Sequence, residues 1–92
     1  MVHSSQMMKK PHEMVDGIRS KDDLVRFIQA LSIDFQSRQH EWENVSLERY
    51  LAALSSWLAD SDGYYRNQGR EVPTNPSWRT LAEMLIAAKS YE

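Results

Sequence analysis

The stretch Trp42–Asp60, W-E-N-V-S-L-E-R-Y-L-A-A-L-S-S-W-L-A-D, constrains the fold more than any other part of the chain. Leu47, Tyr50, Leu51, Leu54, Trp57 and Leu58 recur at the i, i+3, i+4, i+7 spacing of one buried helical face. Ser46 stands where an N-cap belongs, with Val45 and Tyr50 placed as a hydrophobic staple around it. A stripe this wide has to be covered. The chain offers one amphipathic segment on either side to cover it.

The earlier segment runs from about Lys21 to Gln39. Ser20 with Asp23 three residues on marks its start, and the acids Asp22 and Asp23 suit the positive end of the helix dipole. Its apolar positions are Leu24, Val25, Phe27, Ile28, Leu31 and Phe35. Only a short junction, carrying Trp42, separates it from the helix at Leu47–Ala59. The two should therefore form an αα-hairpin with Trp42 between them at its closed end. The later segment begins near Asn75 or Ser77, with Trp78, Leu81, Ala82, Leu85 and Ala88 along one face. Between these helices lies Asp60 to Pro76, read as a long loop because Gly63, Gly69, Pro73 and Pro76 interrupt it. Tyr64 and Tyr65 argue that the loop packs on the core, with a single helical turn at Ser61 to Asn67.

The expected architecture is all-α. Three main helices form one domain over residues 15–92, with the Leu47–Leu58 face as its central wall and the third helix across the hairpin. Residues 1–14 lack any period and read as a disordered lead, with Val15 and Ile18 tacking the chain onto the core. A length of 92 residues supplies one core, and 41% hydrophobic residues are enough to build it.

Charge and composition narrow the chemistry. A net charge of −2 and a pI near 5.9 disfavour a polyanionic partner, so nucleic acid is not the expected ligand. The absence of cysteine removes disulfides, thiol catalysis and Cys-ligated zinc. No apolar run is long enough to span a membrane and no h-region follows Lys9 and Lys10, so a cytoplasmic location follows by default. His12-Glu13 and His40-Glu41 each lack the second histidine four residues on that a zinc site on a helix needs. Asp60 and Asp62 resemble the start of a calcium loop, but Gly63 comes too early and Tyr64 replaces an oxygen ligand. No nucleophile motif or phosphate-binding loop is present. The expectation is therefore no metal, no cofactor and no enzymatic activity.

Several motifs are similar to a group of short bacterial domains of unknown function. They are S-K-x-D-L-x-x-F-I from Ser20, W-E-N-x-S-L-x-x-Y-L from Trp42, W-L-A-D-S-D-G-Y-Y from Trp57, P-S-W-x-x-L-A from Pro76 and the terminal Y-E. The resemblance covers about Val15 to Glu92. It implies a bacterial, cytoplasmic, mainly helical domain and brings no catalytic residue with it.

Three functions rank in order. The first is a protein-interaction module of immunity or antitoxin type, engaging a protein partner or self-associating. Its candidate surface is Asp60, Asp62, Tyr64, Tyr65, Arg66 and Arg70, because aromatic and arginine side chains dominate binding hot spots. The second is a ligand-binding or enzymatic domain with its pocket under the 60–76 loop. The third is weak nucleic-acid binding through Arg66, Arg70 and Arg79.

Overall fold

A computed structural model describes residues 10–92. Its elements are α1 (Pro11–Met14), a 3-10 turn at Val15–Gly17, α2 (Lys21–Ser37), a second 3-10 turn at Gln39–Glu41, α3 (Leu47–Asn67) and α4 (Trp78–Ala88). The described residues hold no strand, so the all-α expectation stands.

Each long helix starts at a serine whose hydroxyl accepts an otherwise unpaired backbone N–H. Ser20 Oγ takes the N–H of Asp23, Ser46 Oγ that of Arg49 and Ser77 Oγ that of Thr80, each at 3.1 Å. The Asp23 carboxylate also accepts the Arg19 N–H at 3.0 Å, which closes the α2 cap from the other side.

α3 is longer than its sequence suggests. The stretch from Asp60 to Asn67, expected to be loop with one separate helical turn at Ser61 to Asn67, is the last third of the same helix. Glycine inside a helix costs about 1 kcal/mol relative to alanine, too little to stop a helix that is held from outside. Gly63 is exposed, while Trp57 and Ser61 before it and Tyr65 after it are buried, and Ser61 Oγ donates back to the Leu58 carbonyl at 2.8 Å. The stop comes at Gly69, whose φ of +67° belongs to the left-handed region. There the N–H of Arg70 reaches the Tyr65 carbonyl at 2.9 Å and that of Gly69 the Arg66 carbonyl at 3.0 Å, the paired bonds of a Schellman ending. The connection to α4 is correspondingly short.

The centre of the domain is α4 and not the Leu47–Leu58 wall. From Arg79 to Lys89 none of its residues is fully exposed, and Ala82 and Ala88 are completely covered. α4 packs against both α2 and α3, whereas those two helices scarcely meet each other. The third helix thus crosses the other two as expected, but it is also what joins them. Trp42 sits where expected, with Phe35 of α2 edge-on at 5.1 Å and Tyr50 of α3 at 6.0 Å between ring centres. Trp78, by contrast, is exposed at the first turn of α4.

Around this axis the core gathers Ile18, Leu24, Phe27, Leu31, Trp42 and Ala82. Ile18 brings the residues before α2 into it, as expected. α1 falls within the segment read as a disordered lead: Pro11 is buried and Glu13 Oε1 accepts the Lys10 N–H at 2.9 Å. The rest of that reading, residues 1–9, lies outside the described residues.

Candidate functional site

The W-E-N motif fastens the junction to the two ends it joins. Trp42 Nε1 donates to Asp34 Oδ2 of α2 at 2.8 Å. Asp34 is buried and also receives Lys89 Nζ at 3.2 Å and Arg38 Nη1 at 3.4 Å. Burial alone would raise its pKa, but the Trp42 and Lys89 hydrogen bonds, with the charges of Lys89 and Arg38, outweigh that and hold it below the usual carboxylate value. Asn44 closes the far end of α4. Its Nδ2 donates to the carbonyls of Ala88 and Tyr91 at 2.9 and 3.0 Å, and its N–H donates to the Lys89 carbonyl at 3.1 Å. Tyr50 Oη donates to the Leu85 carbonyl at 2.8 Å, and burial pushes its pKa up to about 12.

The D-G-Y-Y motif does the same at the other end of α3. Tyr65 is only 2% exposed and donates to Glu83 Oε1 of α4 at 2.5 Å. Arg70 Nη2 reaches Glu83 Oε2 at 3.0 Å, and its guanidinium lies 4.8 Å above the Tyr65 ring. Burial and the bond to Glu83 both raise the Tyr65 pKa. Arg79 links the same carboxylate, at 3.6 Å, to Asp16, at 2.8 Å. Tyr64 packs on Trp57 and Tyr65 with ring centres 5.6 and 5.1 Å away.

The six residues read as one surface are therefore divided. Tyr65 is a core residue and Arg70 is half-buried against Glu83; neither is free to meet a partner. Asp62 and Arg66 face each other at 3.9 Å on the solvated side of α3. Asp60 accepts the Tyr91 hydroxyl at 2.5 Å, which docks the terminal Y-E segment, and Tyr64 is the aromatic of the six that remains partly open. A polar cavity of about 380 Å³ does lie beside α3, lined by Tyr64, Gln68, Arg70, Arg79, Glu83 and His12 among others. Asp60 and Asp62 do not reach it, and its two arginines are matched by Glu83 and Asp16. Of the three arginines proposed for nucleic acid, Arg70 and Arg79 are held in these pairs, and Arg66 stands exposed beside Asp62.

What the motifs leave over is apolar. A groove of about 440 Å³ opens between α2 and α3, where the two helices stand apart. Ile28, Leu31 and Phe35 of α2 form one side; Leu47 and Tyr50 of α3, with Val45 before them, form the other. Trp42 closes an end and α4 supplies Leu85. Ile28 and Val45 stand nearly half exposed at its lips. Along α3 the groove continues into a ridge: Leu47 is 73% exposed, Leu51 52% and Leu58 50%. These three leucines were expected in the core wall. Of that stripe Tyr50 and Trp57 do face inward, and Ala53, Ser61 and Tyr65 complete the inner face.

A family described as of unknown function, DUF7660, matches the chain over residues 20–92. The chain belongs to this family. The match starts at the Ser20 cap of α2, so every groove residue lies inside the DUF7660 span and α1 lies before it. No curated protein matches the chain, and no solved structure does.

Sequence reasoning marked Asn44 only as part of the W-E-N motif and missed two other residues that hold the domain together, Asp34 and Glu83. Both carried a signal. Asp34 interrupts the apolar positions between Leu31 and Phe35, and Glu83 sits amid Leu81, Ala82, Met84 and Leu85. A charge on an apolar stripe must be paired if it is buried.

Proposed function

We propose that this chain is a protein-interaction module whose docking site is the α2–α3 groove. The observation that carries the reading is the contiguous open apolar surface formed by the groove and the adjoining leucine ridge. Isolated exposed leucines are ordinary on a protein surface, but a contiguous patch marks a contact site. The groove has the chemistry that receives the apolar face of an amphipathic helix, with anchors at i, i+3 or i+4, and i+7. Inhibitory binding of immunity or antitoxin type is one biological form such docking takes.

Amide-resolved NMR of the labelled chain tests this. Titration with a soluble helical peptide carrying leucines at i, i+4 and i+7 is expected to shift Ile28, Ser32, Val45 and Leu47 first. Shifts centred on Arg70 and Glu83, or none at saturating peptide, overturn the reading.

A further inference from the structure

The groove needs a helix with an apolar stripe, and the chain displays such a stripe beside it. Leu47, Leu51, Leu54 and Leu58 fall at i, i+4, i+7 and i+11 on α3, with three of the four at least half exposed. This ridge cannot fill its own groove, because Leu47 already forms the groove's edge and the rest of the stripe points outward beside it. We infer that the occupant is a second copy of this chain: the α3 ridge of each protomer seats in the α2–α3 groove of the other.

This rests on the reading of the groove as a docking site and adds the identity of the partner. Three observations favour a second copy over an unrelated helix. A two-fold interface requires one patch to be self-complementary, and here a concave and a convex apolar surface adjoin on the same face. A lone helix in the groove would leave Leu51 and Leu58 in water, whereas two-fold pairing covers both and makes each contact twice. Charge also permits it. The net charge is only −2, and Asp62 and Arg66 at the side of the ridge already neutralise each other, so two copies meet with little repulsion.

The test is sedimentation equilibrium of the full chain over a wide concentration range. The mass should rise from 10.7 kDa toward twice that value. Leu51→Asp on the ridge and Ile28→Asp at the groove lip should each weaken dimerisation by at least about tenfold, since both place an unpaired charge in an apolar contact. Both positions are half exposed in the single chain, so circular dichroism should show unchanged helicity. Mixing the two variants gives the decisive result. A heterodimer keeps one intact ridge-in-groove contact where each variant alone keeps none, so association should partly return. A wild-type chain that stays monomeric throughout overturns the inference, as does a dimer that neither substitution weakens. If a monomeric chain still shows the peptide-induced shifts at Ile28 and Leu47, the docking site stands and only the second copy falls.

Discussion

The seam around α4 and the groove between α2 and α3 are built on opposite terms. Along the seam, buried polar groups are answered: Asp34 by Trp42, Lys89 and Arg38, Glu83 by Tyr65 and Arg70, the end of α4 by Asn44. Among the described residues the one buried side-chain atom without a hydrogen bond is Arg79 Nε, and it lies 3.6 Å from Glu83. Along the groove it is the apolar groups that go unanswered. The difference teaches that apolarity did not decide which face of α3 was covered. The inner face includes buried Ser61 and Tyr65 and half-buried Tyr50, while Leu47, Leu51 and Leu58 of the stronger stripe face outward. Tyrosine can cover a neighbouring helix with its ring and still bond a backbone carbonyl or a carboxylate at its edge. Leucine offers no such second attachment.

The largest effect should come from opening the seam. Asp34→Ala leaves Lys89 without its buried partner and the Trp42 N–H unpaired, so unfolding in urea should show a loss of about 3 kcal/mol. The same site gives a pH signature. Asp34 has a lowered pKa in the native state, so the unfolded chain takes up this proton first as the solution is acidified. Its contribution is complete above the ordinary carboxylate pKa of about 3.9 and is lost as pH falls through the lower, native value. Stability measured from pH 6 downward should therefore drop less steeply in Asp34→Asn than in the wild type. Equal slopes would mean that the carboxylate does not hold the seam.

An intermediate effect, of opposite sign, should come from Gly63. A methyl group there would meet nothing within 4 Å, and the backbone is not in the left-handed region. Gly63→Ala should stabilise the protein by about 1 kcal/mol, seen as a raised urea midpoint with an unchanged slope. At Gly69 the same change should destabilise, because its φ of +67° is what ends the helix. The pair separates a helix that runs through Gly63 from a loop that begins there.

These positions also mark how far the sequence could be read. The caps at Ser20 and Ser46 and the place of Trp42 were legible because each depends on residues within a turn or two, whereas for α4 the sequence offers both Asn75 and Ser77 and the cap is Ser77. The D-S-D-G stretch was misleading because its local preference for a turn is worth about 1 kcal/mol, less than the packing of Trp57 and Tyr65 on either side. Which glycine stops α3 is settled by the bonds from Gly69 and Arg70 back to Arg66 and Tyr65, and the sequence offers two glycines six residues apart. The candidate site was the least legible part. Periodicity places Leu47, Leu51 and Leu58 on one face of α3, but it holds no information on whether that face meets α4. Of the tyrosines and arginines that looked like a binding cluster, Tyr65 and Arg70 were instead claimed by Glu83, a residue that stands out only once it is known to be buried.

The smallest effect is the one that tests the open side most directly. Leu58 lies on the same helix as buried Ala53 and Trp57, and a leucine in a core loses about 2–5 kcal/mol when truncated. With half of Leu58 in water and its outer surface uncovered, Leu58→Ser should change the stability of the dilute, monomeric chain by less than about 0.5 kcal/mol. The measurement is a urea titration at a concentration at which sedimentation shows the chain to be monomeric. A loss of more than about 2 kcal/mol there would place Leu58 in the core and abolish the distinction between the two faces of α3. Repeating the titration at high concentration extends the comparison. Binding that involves only the folded state adds to its stability by mass action. If the ridge is the contact, wild type should gain stability with concentration and Leu58→Ser should gain less, so the gap between them widens only when a second chain is there to cover the leucine.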